Sequence, residues 1–446
     1  MNLEYFAELL WGWPTAAVFL GIGGIFLLRT RLLPLRKLPQ ALKLIRPKKS
    51  DQGISAYGAL CTALAATIGT GNIVGVATAL AAGGPGALFW MLLAALFGMG
   101  TQYAEGYLGA KYRLQGREGN YGGPFAYIHR GLGPKFRWLS KLFALVGAAV
   151  GLLGVGTVTQ VNSITSAAEG LFRGAARVSA FGRDYSAAAL IVGLAVTLAA
   201  AAVLLGGVKR IARVCEVLVP IMSGIYLLCC FLILISCAGQ IPAALRLILH
   251  SAFSPKAALG ATAGISLRSA IRMGIGRGVY TNEAGLGTAA IAAAASDEPS
   301  PHRQGLISMT GTFIDTIVIC TLTGLCLVVT DAWSMPLEGV QITDHAWKTA
   351  LPFAPKLSSV LLFICLSCFA FATVIGWNFY AESCLRYLVG EKQWAQKLYR
   401  FLYLMVIAVS PLISVSSAWA LADILNVFMA APNLLALFLL RKKIHR

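Results

Sequence analysis

Residues 63–80 read ALAATIGTGNIVGVATAL, a membrane-spanning apolar run broken between Gly69 and Asn72 by the short polar, glycine-rich GTGN. A helix interrupted in lipid frees backbone donors and acceptors, and only a protein-lined cavity, a ligand or an ion can satisfy them. The break therefore reads as half of a transport site.

The composition points to the same surroundings. Of 446 residues, 57% are hydrophobic and 12% charged, roughly half the charge of an ordinary soluble domain, and the mean hydropathy is +0.73. Several apolar stretches reach about 20 residues, the length that crosses the hydrocarbon core. The chain thus reads as an all-α polytopic membrane protein with the lipid bilayer as its solvent. A net charge of +19 invites a nucleic-acid partner, but the basic residues follow membrane topology instead. Counted from a first span at about Trp13 to Leu28, most of the 37 Lys and Arg fall on one side, in Arg29 to Lys49, Lys111 to Lys141, Lys209 to Arg213, Arg386 to Arg400 and the tail from Arg441. That side is expected to be cytoplasmic, with the N-terminus outside and the C-terminus inside. The ten cysteines sit almost wholly in apolar runs, which suggests no disulfide framework. Acidic Glu4 and Glu8 before the first apolar run argue against a cleavable signal peptide.

Apolar runs set against turn and charge punctuation give eleven candidate spans. Setting the first aside leaves ten, which divide as five plus five: 1–50 holds the extra span and a basic loop, 51–240 the first repeat and 241–446 the second. Both repeats open on an interrupted span, GTGN in the first and GVYTNEAGLGT (Gly278 to Thr288) in the second. Paired interruptions at corresponding places point to an inverted-repeat secondary transporter; close packing of two glycine-rich helices is the competing reading. The fourth span is expected to run unbroken from Trp138 to Phe172. For the seventh, Ala261 to Ala295, the stretch Arg268 to Arg277 either enters the membrane directly or first follows its surface.

At the first break, Thr70 and Gly71 are expected to present unpaired N–H groups at a half-helix N-terminus, which suits a carboxylate. Upstream, the carbonyls of Ala65, Thr67 and Ile68 lose their helical partners and can coordinate a small cation with the Asn72 amide oxygen. Gln160 lies among apolar residues one turn after Thr157, and has donor and acceptor capacity for either an ammonium or a carboxylate group. Asn162 is rotated by about 200° from it. Thr373, Trp377, Tyr380 and Cys384 share one helical stripe, on which Thr373 offers an oxygen and Trp377 either a flat pocket wall or ordinary core. Glu105, Glu283, Asp315, Glu382 and Asp423 lie in or near membrane segments and are functional candidates; helix-end capping or pairing with Arg268, Arg272 or Arg277 is the alternative. The five histidines are scattered, and no HExxH, GxSxG or P-loop occurs, so neither an enzyme nor a cofactor is indicated.

Together, GTGNIVGVATAL, GGPGALFW, GMGTQYAEGYLGAKYR, QVNSI, SLRSAIRMGIGRGVYTNEAGLGTAAIA, FAFATVIGW and ADILNVFMAAPNLLAL closely resemble the alanine or glycine:cation symporter family, and the likeness spans nearly the whole chain after the first span. The resemblance implies a leucine-transporter-like fold with one extra span, in a bacterial or archaeal plasma membrane. It implies uptake of a small amino acid, alanine or glycine first and glutamine as the alternative, coupled to sodium or to protons, with no cofactor and no obligate protein partner. It makes Thr70 and Gly71 the carboxylate cradle, Gln160 and Asn162 polar groups of the pocket, Trp377 a wall and Thr373 a pocket or sodium ligand, with Asn282, Gly285, Thr288 and Asn378 as further pocket residues. By fold analogy the carbonyls of Ala65 and Ile68, with Thr373, form the sodium site. Where the family often has Asn, Ser, His and a second Tyr, this chain has Thr157, Ala372, Ala292 to Ala295 and Ala126. The missing hydroxyl at Ala372 removes one oxygen from that sodium site, and Thr157 alters the side chain accepted.

Overall fold

The computed structural model describes residues 6, 10–46, 53–117, 119–172, 174–180, 183–253, 267–413 and 415–444. These segments are almost entirely helical, because a membrane core offers the backbone no partner but itself. The principal helices are α1 (Trp13–Arg29), α2 (Ala56–Thr67), α3 (Gly71–Gly83), α4 (Gly86–Lys111), α5 (Arg137–Leu153), α6 (Val158–Leu171), α7 (Ala187–Leu204) and α8 (Gly207–Ser236). They continue with α9 (Ile241–Phe253), α10 (Leu267–Asn282), α11 (Thr288–Ala295), α12 (Pro301–Val329), α13 (Val340–Ala350), α14 (Pro355–Val389), α15 (Gln393–Val409) and α16 (Val415–Leu440). Two small antiparallel hairpins, Leu114–Gly116 with Gly119–Tyr121 and Arg177–Ala180 with Arg183–Ser186, cap loops.

Among the described residues seven helices are long and apolar enough to cross a membrane, with α5 and α6 counted as one rod. The pair α2 and α3, bent by 52° at GTGN, makes an eighth. The other three expected spans correspond to α1 and α15, 17 residues each, and to the interrupted pair α10 and α11.

Two helices organise the interior. α4 packs against α1, α10, α11 and α12, and α14 against α2, α5, α6 and α8. From Gly98 to Ala110 every residue of α4 is buried, the signature of a helix surrounded on all sides. By contrast α7 turns Ile191, Leu194 and Leu198 outward, each more than half exposed, as suits a lipid-facing helix.

One sequence expectation changes, and one left open gains detail. The span from Trp138 is interrupted at Gly154–Thr157, between α5 and α6. There Gly156 approaches α14 so closely that a Cβ would lie 2.5 Å from Trp377 Cβ, and its carbonyl accepts the Tyr403 hydroxyl at 2.9 Å. The arginine-bearing stretch of the seventh span is helical within α10, with Arg277 stacked over Tyr280 and Trp419; the start expected at Ala261 lies outside the described residues.

Close approach of α10 to α4 depends on Gly274. A Cβ there would sit 2.3 Å from the Ala87 carbonyl oxygen and 3.0 Å from Met91 N, both backbone atoms, whereas Gly276 on the same helix has open space. Gly274→Val is expected to cost about 1–3 kcal/mol through overpacking and to lower the apparent Tm of the detergent-solubilised protein by several degrees. Gly276→Val should leave Tm unchanged; equal shifts for the two would refute this packing account.

Candidate binding site

α2 ends because Ile68, at φ −73° and ψ 90°, leaves the helix. The Ile68 N–H still closes its helical bond to Leu64 O at 2.7 Å. The next donor does not: Gly69 N bonds Asn72 Oδ1 at 2.9 Å, so the Ala65 carbonyl loses its helical partner. The Asn72 amide then spans to α12, donating from Nδ2 to Asp315 Oδ1 at 2.8 Å and to the Asp315 carbonyl at 3.2 Å. Two distant helices reach the same break. A Cβ on Gly69 would lie 2.5 Å from Thr373 Oγ1 of α14 and 3.3 Å from Gln160 Oε1 of α6, and Thr70 N points to Gln160 Oε1 at a long 3.4 Å. Thr70 Oγ1 is buried with no protein partner.

The second break, Glu283 to Gly287, is built on left-handed backbone: φ is +55° at Glu283, +101° at Gly285 and +86° at Gly287. Glycine takes this region without strain, and a glutamate does not. The freed donors turn to α4, where Glu105 Oε1 accepts from Gly285 N at 3.0 Å and Gly287 N at 3.1 Å. Asn433 of α16 closes the arrangement, donating to Glu105 Oε1 at 2.7 Å and to the Gly285 carbonyl at 2.9 Å, and accepting from the Tyr127 hydroxyl. Asn282 uses Nδ2 on Thr316 Oγ1 at 3.2 Å and Oδ1 on Ala284 N at 3.0 Å. Trp377, one turn beyond Thr373 on α14, donates its indole N–H to Glu283 Oε1 at 3.0 Å.

Thr70, Asn72, Gln160, Asn282, Glu283, Thr373 and Trp377 are each at most 2% exposed, so these side chains are shut off from solvent. Gly71 lies at the start of α3, with Thr281 of α10 against it. Of the other residues expected from the sequence, Thr67 is half-buried and makes a long contact with Leu64 O at 3.5 Å. Thr157 sits in the α5–α6 interruption and donates to Leu152 O at 2.7 Å. Asn162 faces the loop after α15, donating to Ile413 O at 3.2 Å. Thr288 Oγ1 and both amide atoms of Asn378 are buried without a hydrogen bond of good geometry. Among the carboxylates, Glu382 is paired bidentately with Arg400 at 2.6 and 2.7 Å, a structural role. Sequence reasoning singled out Glu105 but not its partner Asn433; the only signal was a lone amide in the apolar run AAPNLLALF. Among the described residues no group of three His, Cys, Asp or Glu is arranged to hold a metal ion.

Comparison with known proteins gives this geometry a context. The model of the sodium:alanine symporter family matches residues 2–446. An uncharacterized transporter of Haemophilus influenzae is 46% identical over 439 residues, covering 98% of this chain and 92% of its own. The sodium/alanine symporter AgcS of Methanococcus maripaludis is 41% identical over 441 residues, with 96% and 92% covered. A probable sodium/glutamine symporter GlnT of Bacillus subtilis is 33% identical, with 98% and 87% covered. The crystal structure of MhsT in complex with L-phenylalanine aligns with a TM-score of 0.62 at 15% identity, over 88% of this chain and 90% of that one. The leucine-transporter-like fold expected from the sequence is the fold observed.

The Asn72 amide ties Gly69 N on one side of the first break to Asp315 of α12. Asn72→Ala strands the buried Gly69 N–H and leaves Asp315 Oδ1 without its donor, a loss of roughly 1–3 kcal/mol for each buried group left unpaired. The variant should show a clear drop in apparent Tm of the detergent-solubilised protein; an unchanged Tm would show that the link is dispensable.

Proposed function

The chain belongs to the sodium:alanine symporter family, and we propose that it imports a small neutral amino acid, alanine or glycine, together with sodium by alternating access. The observation that carries this reading is the convergence of Gln160 and Thr373 on the interrupted backbone at Gly69 and Thr70. Such a site offers N–H groups with partial positive character to a carboxylate and, a few residues upstream, the Ala65 and Ile68 carbonyls with Thr373 Oγ1 to a small hard cation. Trp377 and the second break close the other side. The greater likeness to a sodium/alanine symporter than to a probable sodium/glutamine symporter supports a small side chain.

Substrate and cation drive the cycle only by binding the closed or inward arrangement differently from the outward one. A monovalent cation moving inward gains about 2.3 kcal/mol per 100 mV, sufficient for nearly fifty-fold accumulation. The halves 51–240 and 241–446 are taken as the five-plus-five inverted repeats of such a transporter, and they interdigitate, since α4 of the first packs on α10, α11 and α12 of the second and α14 of the second on α2, α5, α6 and α8 of the first. The basic loops support a cytoplasmic C-terminus and an N-terminus outside, and the membrane proposed is a bacterial or archaeal plasma membrane. Proton coupling is the second reading, favoured by Ala372, which withholds a hydroxyl beside Thr373.

In proteoliposomes of the purified protein, radiolabelled alanine should accumulate under an inward sodium gradient. Potassium should not substitute, and an imposed proton gradient should drive little uptake. Gln160→Ala is expected to reduce uptake at least tenfold. Absence of uptake, binding and counterflow for alanine, glycine and glutamine under every gradient would overturn the assignment.

A further inference from the structure

Glu283 is the one residue at the second break whose presence the local backbone does not favour. It holds φ +55°, a conformation costing an L-residue of this kind roughly 1–2 kcal/mol, between helices whose other left-handed positions are glycine. Strain of this sort persists where the surroundings over-determine it, and it gathers at ligand sites. Nothing about the break itself requires a carboxylate here, since the Gly285 and Gly287 N–H groups are satisfied by Glu105 from α4. The side chain is 2% exposed. Its Oε1 accepts the Trp377 indole N–H at 3.0 Å, while Oε2 is buried with no hydrogen bond of good geometry, and the Thr288 hydroxyl, also without one, is the protein donor that faces the carboxylate. A buried carboxylate oxygen without a well-formed hydrogen bond is costly, and the cost is relieved by a cationic donor. Trp377, which holds the carboxylate through Oε1, stands one helical turn along α14 from Thr373, whose hydroxyl abuts the Gly69 and Thr70 break.

We infer that Glu283 recognises the protonated α-amino group of the substrate, Oε2 accepting from the ammonium while Thr70 and Gly71 hold the carboxylate across the site. The inference rests on the amino-acid symport reading above and adds to it the group that makes an amine obligatory. Trp377 is then both a wall and a positioning residue, because its indole occupies Oε1 and leaves Oε2 to the ligand. The substrate class is that of zwitterionic α-amino acids; short carboxylates of the same size that lack the amine, such as propionate and lactate, leave Oε2 unpaired and are rejected.

The test is equilibrium binding of radiolabelled alanine to purified wild type and Glu283→Gln, with sodium half-saturation measured separately by tryptophan fluorescence without amino acid. Glu283→Gln keeps an acceptor for Trp377 but removes the charge. Alanine affinity should fall at least tenfold, with sodium half-saturation within twofold of wild type, and propionate and lactate should not compete with alanine on wild type at millimolar concentration. Glu283→Asp keeps the charge on a shorter arm; it should lose three- to tenfold in alanine affinity with sodium unaffected, and it serves where the glutamine variant does not fold. A shift in sodium half-saturation with alanine affinity restored at saturating sodium would make Glu283 an ion ligand and overturn the inference. Unchanged alanine binding in the variants, or competition by propionate, would overturn it as well. If wild type binds no amino acid at all, the transport reading itself fails, an outcome distinct from the others.

Discussion

Two helices are broken inside an apolar medium, and every backbone group so released has to find a partner that neither water nor the helix supplies. The structure meets this demand with side chains from neighbouring helices. At the first break the Asn72 amide turns back to Gly69 N and outward to Asp315 of α12. At the second, Glu105 of α4 reaches across to the N–H groups of Gly285 and Gly287, and Asn433 of α16 covers the Gly285 carbonyl. The half-helices are thereby fixed in register with α4, α12 and α16.

The close packing around α4 follows from the same demand. A carboxylate can serve two backbone amides on another helix only if the helices nearly touch. Gly274 lets α10 lie against the α4 backbone, and Gly109 of α4 does the same for α11, where a Cβ would come within 2.5 Å of the Ala290 carbonyl. Small residues thus do for this protein what large ones do in a soluble core, since van der Waals contact between backbones replaces a hydrophobic drive that lipid removes. On the other side of the site, α14 behaves differently. It carries the bulky Trp377 and Phe369 and contacts α2, α5, α6 and α8, so it brings side chains to the breaks rather than backbone.

Local signals showed what was broken, and tertiary distance hid what repaired it. GTGN and TNEAGLG each announced a helix interruption, and both interruptions occur at those residues. Gln160 and Thr373 stood out as polar groups in apolar runs, and they meet at Gly69. The interruption at Gly154–Thr157 was not expected, because GVGT is apolar enough to pass for helix and its unwinding depends on Trp377 and Tyr403, more than 200 positions away. For the same reason the sequence offers Asn72 as a cation ligand beside the Ala65, Thr67 and Ile68 carbonyls but gives no sign that its oxygen also accepts from Gly69 N and its nitrogen serves Asp315. The tie between Glu105 and Asn433, 328 residues apart, leaves no mark in either local sequence beyond a polar residue in an apolar helix.

The pattern of satisfied and unsatisfied groups bears on why a cation should travel with the amino acid. Three carboxyl groups, Glu105, Glu283 and Asp315, are buried around the breaks, and their partners are amides, an indole and a hydroxyl. The ion pairs found among the described residues lie elsewhere, as at Glu382 with Arg400 and Glu391 with Arg386. A zwitterionic amino acid brings no net charge, so its arrival does not offset the acidic character of this interior. Positive charge beside these groups, a sodium ion at unpaired carbonyls or a proton on a carboxyl group, would lower the electrostatic cost of the closed arrangement. A ligand or ion biases closure only through its differential affinity for the closed state, and a positive charge buried beside these carboxyl groups would supply such a difference.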